Sequence, residues 1–262
     1  MSDAVMLTNK RYYAWVLAAF LIIPAGSSAE LPDRVQIAAI FDDPTTAAAS
    51  AILKLAYQRL GVEASTLITP SLRALMMADT GLLDGDLFRI DHAAQLYPNL
   101  LRVEYALFHG TLQAVVRKNE EHLLDLPPEQ TRAVAVRRGN IISGLTAKNM
   151  GMTPVYANSN KQALSLLESK RVDVALFTFI EQFDPIAQKD LTGLHLIEEP
   201  LATFELYHYL NRRHGELARA LPEVLRKIEE DGTKKQILDS FRQRQEEWGA
   251  GSIRNTPANQ YH

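Results

Sequence analysis

From residue 31 onward the chain alternates short apolar or β-branched runs with stretches of helical spacing. Residues 34–41 (RVQIAAIF) form a continuous apolar run of strand length, broken by Asp42-Asp43-Pro44. Residues 45–60 carry Ile52, Leu53, Ala56, Tyr57 and Leu60 at helical spacing, with Thr45 or Thr46 as a cap and Gly61 as a stop. The pattern then predicts a strand at 63–68, a helix from Pro70-Ser71 to Gly81 and a strand at 83–88. A turn at Tyr97-Pro98-Asn99 is followed by two runs without helical spacing, 103–107 and 111–117, which read as strands. The polar stretch 118–130, with Pro127-Pro128, reads as a connector.

The order then restarts. A strand is expected at 133–136, a helix at 141–149, a strand at 153–156, a helix at 159–169, a strand at 172–177 and a short helix at 180–187. Late strands fall at 194–197 and 204–210. Residues 215–244 are mostly helical, with a turn at Asp231-Gly232. Residues 249–262, rich in Gly, Asn, Pro and Ser, read as a disordered tail.

One pattern is written twice. Residues 74–88 (ALMMADTGLLDGDLF) and 163–177 (ALSLLESKRVDVALF) align without a gap, with Ala, Leu, Asp, Leu and Phe at matched places. Each is an amphipathic helix, a polar turn and a short strand starting near Asp84 or Asp173. Two copies imply two similar α/β lobes with a cleft, and clefts hold small ligands. Strands alternating with helices argue for parallel sheets, whose ligands sit beyond the carboxyl ends of the strands. That rule selects Asp42 and Asp43, Phe88 and Arg89, the Arg138-Gly139-Asn140 turn and Thr178.

Composition and charge narrow the function. The chain has 262 residues, 47% hydrophobic and 23% charged, and its formal net charge of −3 favours neither nucleic acid nor an anionic membrane. No cysteine occurs, which excludes disulfides, a thiolate nucleophile and a Cys-ligated metal. No HExxH, Walker loop, GxGxxG or nucleophile elbow is present, and the histidines share no metal spacing. No cofactor, metal or catalytic set is therefore expected. Lys10 and Arg11 precede an apolar run at 12–23, then Pro24 and the small residues Ser27 and Ala29. This is the layout of a cleaved signal peptide spanning 1–29, with a retained signal anchor as the alternative, so a periplasmic protein is expected; it is also expected to be a monomer.

The candidate residues differ in their chemistry. Arg89 has the planar fork that suits a carboxylate or phosphate, with an ion pair to Asp86 or Asp91 as the structural alternative. Arg73 sits at a helix start, where a cation opposes the helix dipole. Gly139 and Asn140 open a helix whose free N–H groups could hold an anion, or serve as an ordinary turn and cap. Arg138 could add charge there. Thr178 could donate one hydrogen bond, while Phe88 and Asp42 could touch a ligand's apolar and polar edges.

The stretches Gly81-Leu82-Leu83-Asp84-Gly85-Asp86, Val134-Ala135-Val136-Arg137-Arg138-Gly139-Asn140, Arg171-Val172-Asp173-Val174-Ala175-Leu176 and Glu229-Glu230-Asp231-Gly232 give the chain a resemblance to the bacterial extracellular solute-binding proteins of family 3. The resemblance implies a type II periplasmic-binding-protein fold, α/β with two lobes joined by two crossover segments. Lobe one would hold 31–112 plus 204–246, and lobe two 113–203. Amino-acid receptors of this family carry an Arg a dozen residues after the first repeat Asp and an acid five after the second. Here those positions are Leu96 and Thr178, so this chain resembles a branch lacking the amino-acid anchors.

The expected function is that of an exported solute-binding protein closing on a small, anionic ligand, for an inner-membrane permease or a sensor, with Arg89 opposing the Gly139-Asn140 turn. The alternatives are a periplasmic enzyme resembling cyclohexadienyl dehydratase, and an accessory or sensory partner with a degenerate cleft.

Overall fold

A computed structural model describes residues 31–91, 93–181 and 183–251. The expected signal segment, 1–29, lies outside them. In chain order the first half contains β1 (Arg34–Ala39), α1 (Pro44–Arg59), β2 (Glu63–Ile68), α2 (Ser71–Asp79), β3 (Gly85–Ile90) and the single turn α3 (Ala93–Leu96). A long strand, β4 (Leu100–Arg117), leads to β5 (Arg132–Arg137), α4 (Ile141–Asn149), β6 (Met152–Ala157), α5 (Asn160–Glu168) and β7 (Val174–Ile180). The chain closes with β8 (Leu194–Leu196), β9 (Ala202–Asn211), α6 (Gly215–Glu230) and α7 (Thr233–Gly251).

The strands form a nine-stranded sheet in the order β2-β1-β3-β9-β4-β7-β5-β6, with β8 beside β4. Its two ends repeat one motif: β1 lies parallel between β2 and β3, and β5 lies parallel between β6 and β7. The antiparallel strands β4 and β9 join them. β4 pairs with β9 from Leu100 to Leu112 and with β7 from Gly110 to Val115, so Gly110, Thr111 and Leu112 are flanked on both sides. The chain therefore passes between the two halves on these two strands. Gly110 is needed there, because an added Cβ would lie 2.5 Å from the Phe204 ring and 2.9 Å from the Phe179 carbonyl oxygen.

Each half has its own apolar packing. In the first, α1, α6 and α7 cover the sheet around Ile52, Tyr57, Leu87, Phe108 and Leu221. The second half is covered on both faces, around Leu167 and Phe177 on one and Val134 and Leu176 on the other. The buried His208 is satisfied: Tyr57 Oη is 2.7 Å from its Nε2 and its Nδ1 is 2.8 Å from the Asp86 carbonyl. Burial holds its pKa down at about 4, so the ring is neutral, donating from Nδ1 and accepting from the tyrosine.

The doubled aspartates have matching roles. The Asp84 amide donates to the Gln36 carbonyl at 2.9 Å and its carboxylate accepts the Gln36 amide at 2.7 Å. The Asp173 amide donates to the Ala133 carbonyl at 2.8 Å and its carboxylate accepts the Ala133 amide at 2.9 Å. Each aspartate thus clamps the strand of its repeat to the neighbouring parallel strand. Asp84 also takes Arg213 and His214; burial raises its pKa, but these partners and the Gln36 amide outweigh that and hold it below the usual carboxylate value.

Four expectations need correction. The strand expected at 83–88 begins two residues later, because the Leu83 amide still closes the preceding helix onto the Met77 carbonyl. The runs 103–107 and 111–117 are one strand, irregular in register between Arg102 and Phe108. Among the described residues of 180–187 no helix forms: the two-residue period of β7 continues through Phe179 and Ile180, paired with Thr111 and Gly110, and Phe183 then bridges back to Ile180. Residues 249–251 belong to α7 rather than to a tail, and 252–262 lie outside the described residues.

Candidate functional site

The parallel strands deliver four helix N-termini to one edge of the sheet: β1 runs into α1, β2 into α2, β5 into α4 and β6 into α5. Each start is shaped locally. Pro44 occupies the first turn of α1, whose cap Asp43 accepts the Thr46 amide at 3.0 Å. Asn140 caps α4 by accepting the Ser143 amide at 3.3 Å, and Ser159 caps α5. Gly139, just before α4, has φ +87°, a backbone region that glycine enters without strain.

Between these starts lies a cavity of about 300 Å³, lined from both halves of the sheet. The first half contributes Ile40, Phe41 and Asp43 after β1, and Phe88, Arg89 and Ile90 from β3. The second half contributes Arg137, Gly139 and Asn140 after β5, the start of α4 and Thr178 of β7. Phe183 and Asp184 close one side, and Phe204 and Leu206 of β9 form part of the wall.

The candidate residues fall into two groups. Phe88, Arg89, Gly139, Asn140 and Thr178 line this cavity together. Asn140 Nδ2 donates to Thr178 Oγ1 at 3.2 Å, joining the ends of two strands. Arg73 and Asp42 are exposed and are not among the lining residues. Arg138 is also exposed and outside the lining; it reaches Asn158 at 3.3 Å and lies 5.4 Å from the Tyr156 ring centroid.

Arg89 carries its charge in a different way from that expected. β3 runs on to Ile90, which puts Arg89 inside the strand, where it is 3% exposed. Its Nη2 meets Asp86 Oδ2 at 2.6 Å, and its Nη1 donates to Ser71 Oγ at 3.1 Å. Burial raises the Asp86 carboxyl pKa, against the pull of the Arg89 charge. This is a desolvated, internally compensated ion pair, the structural alternative for Arg89.

The sequence argument passed over Arg137. Its guanidinium lies 3.6 Å from the centroid of the Phe41 ring and its Nη1 is 3.3 Å from Asp43 Oδ2, so it links β5 to the end of β1 across the cavity. A two-residue period sends Arg137 and Arg138 to opposite faces, and the sequence alone does not say which face meets the cavity. A second cross-cavity contact is Ser71 Oγ donating to the Gly139 carbonyl at 3.3 Å. Among the described residues no group of side chains is suited to a metal ion, and no helix is long and apolar enough to cross a membrane.

No protein-family model matches the chain, and no curated protein matches it. Solved structures do. The GluR0 ligand-binding core from Nostoc punctiforme, in complex with L-glutamate, matches with TM-score 0.64 and 14% identity, over 79% of this chain and 98% of that one. The substrate-binding protein of an amino-acid ABC transporter matches with TM-score 0.62 and 13% identity, over 79% and 98%. An ancestral arginine-binding protein bound to arginine matches with TM-score 0.60 and 16% identity, over 81% and 99%. The chain has the two-lobed α/β fold of the type II periplasmic binding proteins.

Proposed function

We propose that this chain is a solute-binding receptor of the family 3 kind, exported to the periplasm, which holds one small ligand between two lobes and closes on it. The observation that carries this reading is the cavity: it lies at the carboxyl ends of the strands, is lined from both halves of the sheet, and has the size of a small-molecule site. The likeness to solved binding proteins supports it. In this reading 31–112 with 204–246 make one lobe and 113–203 the other. Strands β4 and β9 form the crossovers, and the residues that line the cavity meet the ligand.

Closure would follow differential affinity: a ligand touching both lobes stabilises the state in which they approach. The bound solute would pass to a permease or be reported to a sensor. A binding role suits the acids better than an enzymatic one. Asp43 is committed to capping α1 and to Arg137, Asp184 is also engaged, and Asp42 and Asp91 do not line the cavity. Binding of a metabolite, read as a ligand-dependent rise in melting temperature of the purified chain, tests the proposal. A broad metabolite library that produces no shift overturns it.

A further inference from the structure

The charges on the cavity wall constrain what can be bound. Arg89 is neutralised in place by Asp86 and held by Ser71. Asp43 uses Oδ1 on the Thr46 amide and Oδ2 on Arg137, and Asp184 is engaged as well. Arg137 is also ion-paired, to Asp43, but through a longer contact and in a more exposed position than Arg89. Its side chain is 23% exposed, its one described hydrogen bond is the 3.3 Å contact from Nη1 to Asp43, and its Nε has no partner among the described residues. The guanidinium carbon lies 3.6 Å from the centroid of the Phe41 ring, and this contact restrains the group at the cavity wall.

The rest of the wall is largely apolar. Phe41, Phe88, Phe183 and Phe204 contribute rings, and isoleucines from both halves fill between them. The neutral polar groups are largely spent on each other or on backbone: Asn140 on Thr178 and Ser143, and Asn160 on the Pro185 carbonyl. Among the described residues, a ligand in this space meets one cationic fork with N–H groups beyond its Asp43 contact, aromatic and aliphatic surface, and no carboxylate without a partner.

Resting on the receptor reading above, the geometry points to an aromatic or similarly apolar monocarboxylate without an amino group as the ligand class, its carboxylate on Arg137 and its body among the phenylalanines. A guanidinium with free N–H groups pairs well with a carboxylate. Aromatic bodies gain from the phenylalanine faces and edges. An α-ammonium would be buried without an acid to receive it, which is strongly unfavourable.

Isothermal titration of the full chain with ring-matched probes tests this. The expected order is phenylpropanoate binding at least about tenfold tighter than L-phenylalanine, with phenethylamine and L-glutamate weaker still. The methyl ester of phenylpropanoate, which keeps the ring and loses the charge, should bind roughly tenfold or more weakly. Arg137→Gln should impose a similar loss, and Arg137→Lys should recover part of it. If the Gln variant does not fold, the ester comparison decides the point with the unaltered protein. Equal or tighter binding of L-phenylalanine overturns the ligand class, as does an ester that binds as well as the acid, while leaving the receptor reading in place. Failure of every one of these probes to bind overturns this ligand class, while the receptor reading falls only if the broad metabolite library also gives no shift.

Discussion

Arg89 and Gly139 face each other across the cavity through one hydroxyl group: Ser71 Oγ accepts from Arg89 Nη1 at 3.1 Å and donates to the Gly139 carbonyl at 3.3 Å. A buried ion pair on one side of the cleft is thereby tied to the backbone of the other. Ser71→Ala removes the tie with little change of shape. It should cost about 1 kcal/mol in urea unfolding and enlarge the ligand-free particle in small-angle scattering. An unchanged scattering profile would mean that this contact does not hold the halves together.

The two aspartate clamps should act on stability and not on binding. Asp84→Ala leaves the Gln36 amide unpaired and removes the partner of Arg213 and His214. A loss of about 2 kcal/mol is expected in denaturant melts. Asp173→Ala should cost about 1 kcal/mol, because its carboxylate is more exposed. Ligand affinity of either folded variant should match the parent.

Arg89→Ala strands Asp86 in the interior as an uncompensated acid. The expected cost is about 3–5 kcal/mol. The double variant Asp86→Leu with Arg89→Met should regain most of that stability, since it removes both charges. A double variant as unstable as the single one would show that the pair does more than neutralise itself.

His208 predicts an acid-sensitive fold. Its pKa is near 4 in the folded chain against an ordinary value of 6.5, so the unfolded chain binds its proton more readily. The stability contributed by the neutral ring is full above pH 6.5 and is lost as pH falls through 4, amounting to about 3 kcal/mol. Denaturant melts between pH 7 and pH 4 measure the slope. His208→Gln cannot take up the proton and should flatten it.

Gly110→Ala places a methyl group against the Phe204 ring and the Phe179 carbonyl, where both crossing strands meet. The ring can turn, but the carbonyl belongs to a paired strand. A destabilisation of about 1–3 kcal/mol is expected, with altered closing kinetics in a stopped-flow ligand-binding experiment.

Much of this architecture was legible in the residue pattern. The doubled helix-turn-strand pattern marks the two parallel motifs, and its aspartates lie at equivalent places in both. Gly139, Asn140, Thr178 and Phe88 were found by one rule, that strand ends face the ligand side. The same rule brought Arg89 to the cavity wall but did not show its burial, because β3 runs on to Ile90 and the guanidinium turns inward to Asp86. It failed to separate Arg137 from Arg138 because a period of two names alternate faces without saying which is covered. Phe204 was read as the start of a late strand and of the second segment of lobe one, not as cavity wall; its place in the wall depends on pairing with Gly110, far away in sequence.

The position of β9 also sets a schedule for folding. This strand lies between β3 and β4, yet residues 202–211 are made long after both. A chain emerging from the ribosome has its two outer motifs before it has the piece that connects them at the centre. Joining them requires contacts across about a hundred residues or more, as in Asp86 with Tyr209 and Leu101 with Leu210. Such non-local pairing is slow to form. The sheet cannot be completed until residues 202–211 exist, which leaves the two outer motifs unjoined through most of the chain's synthesis.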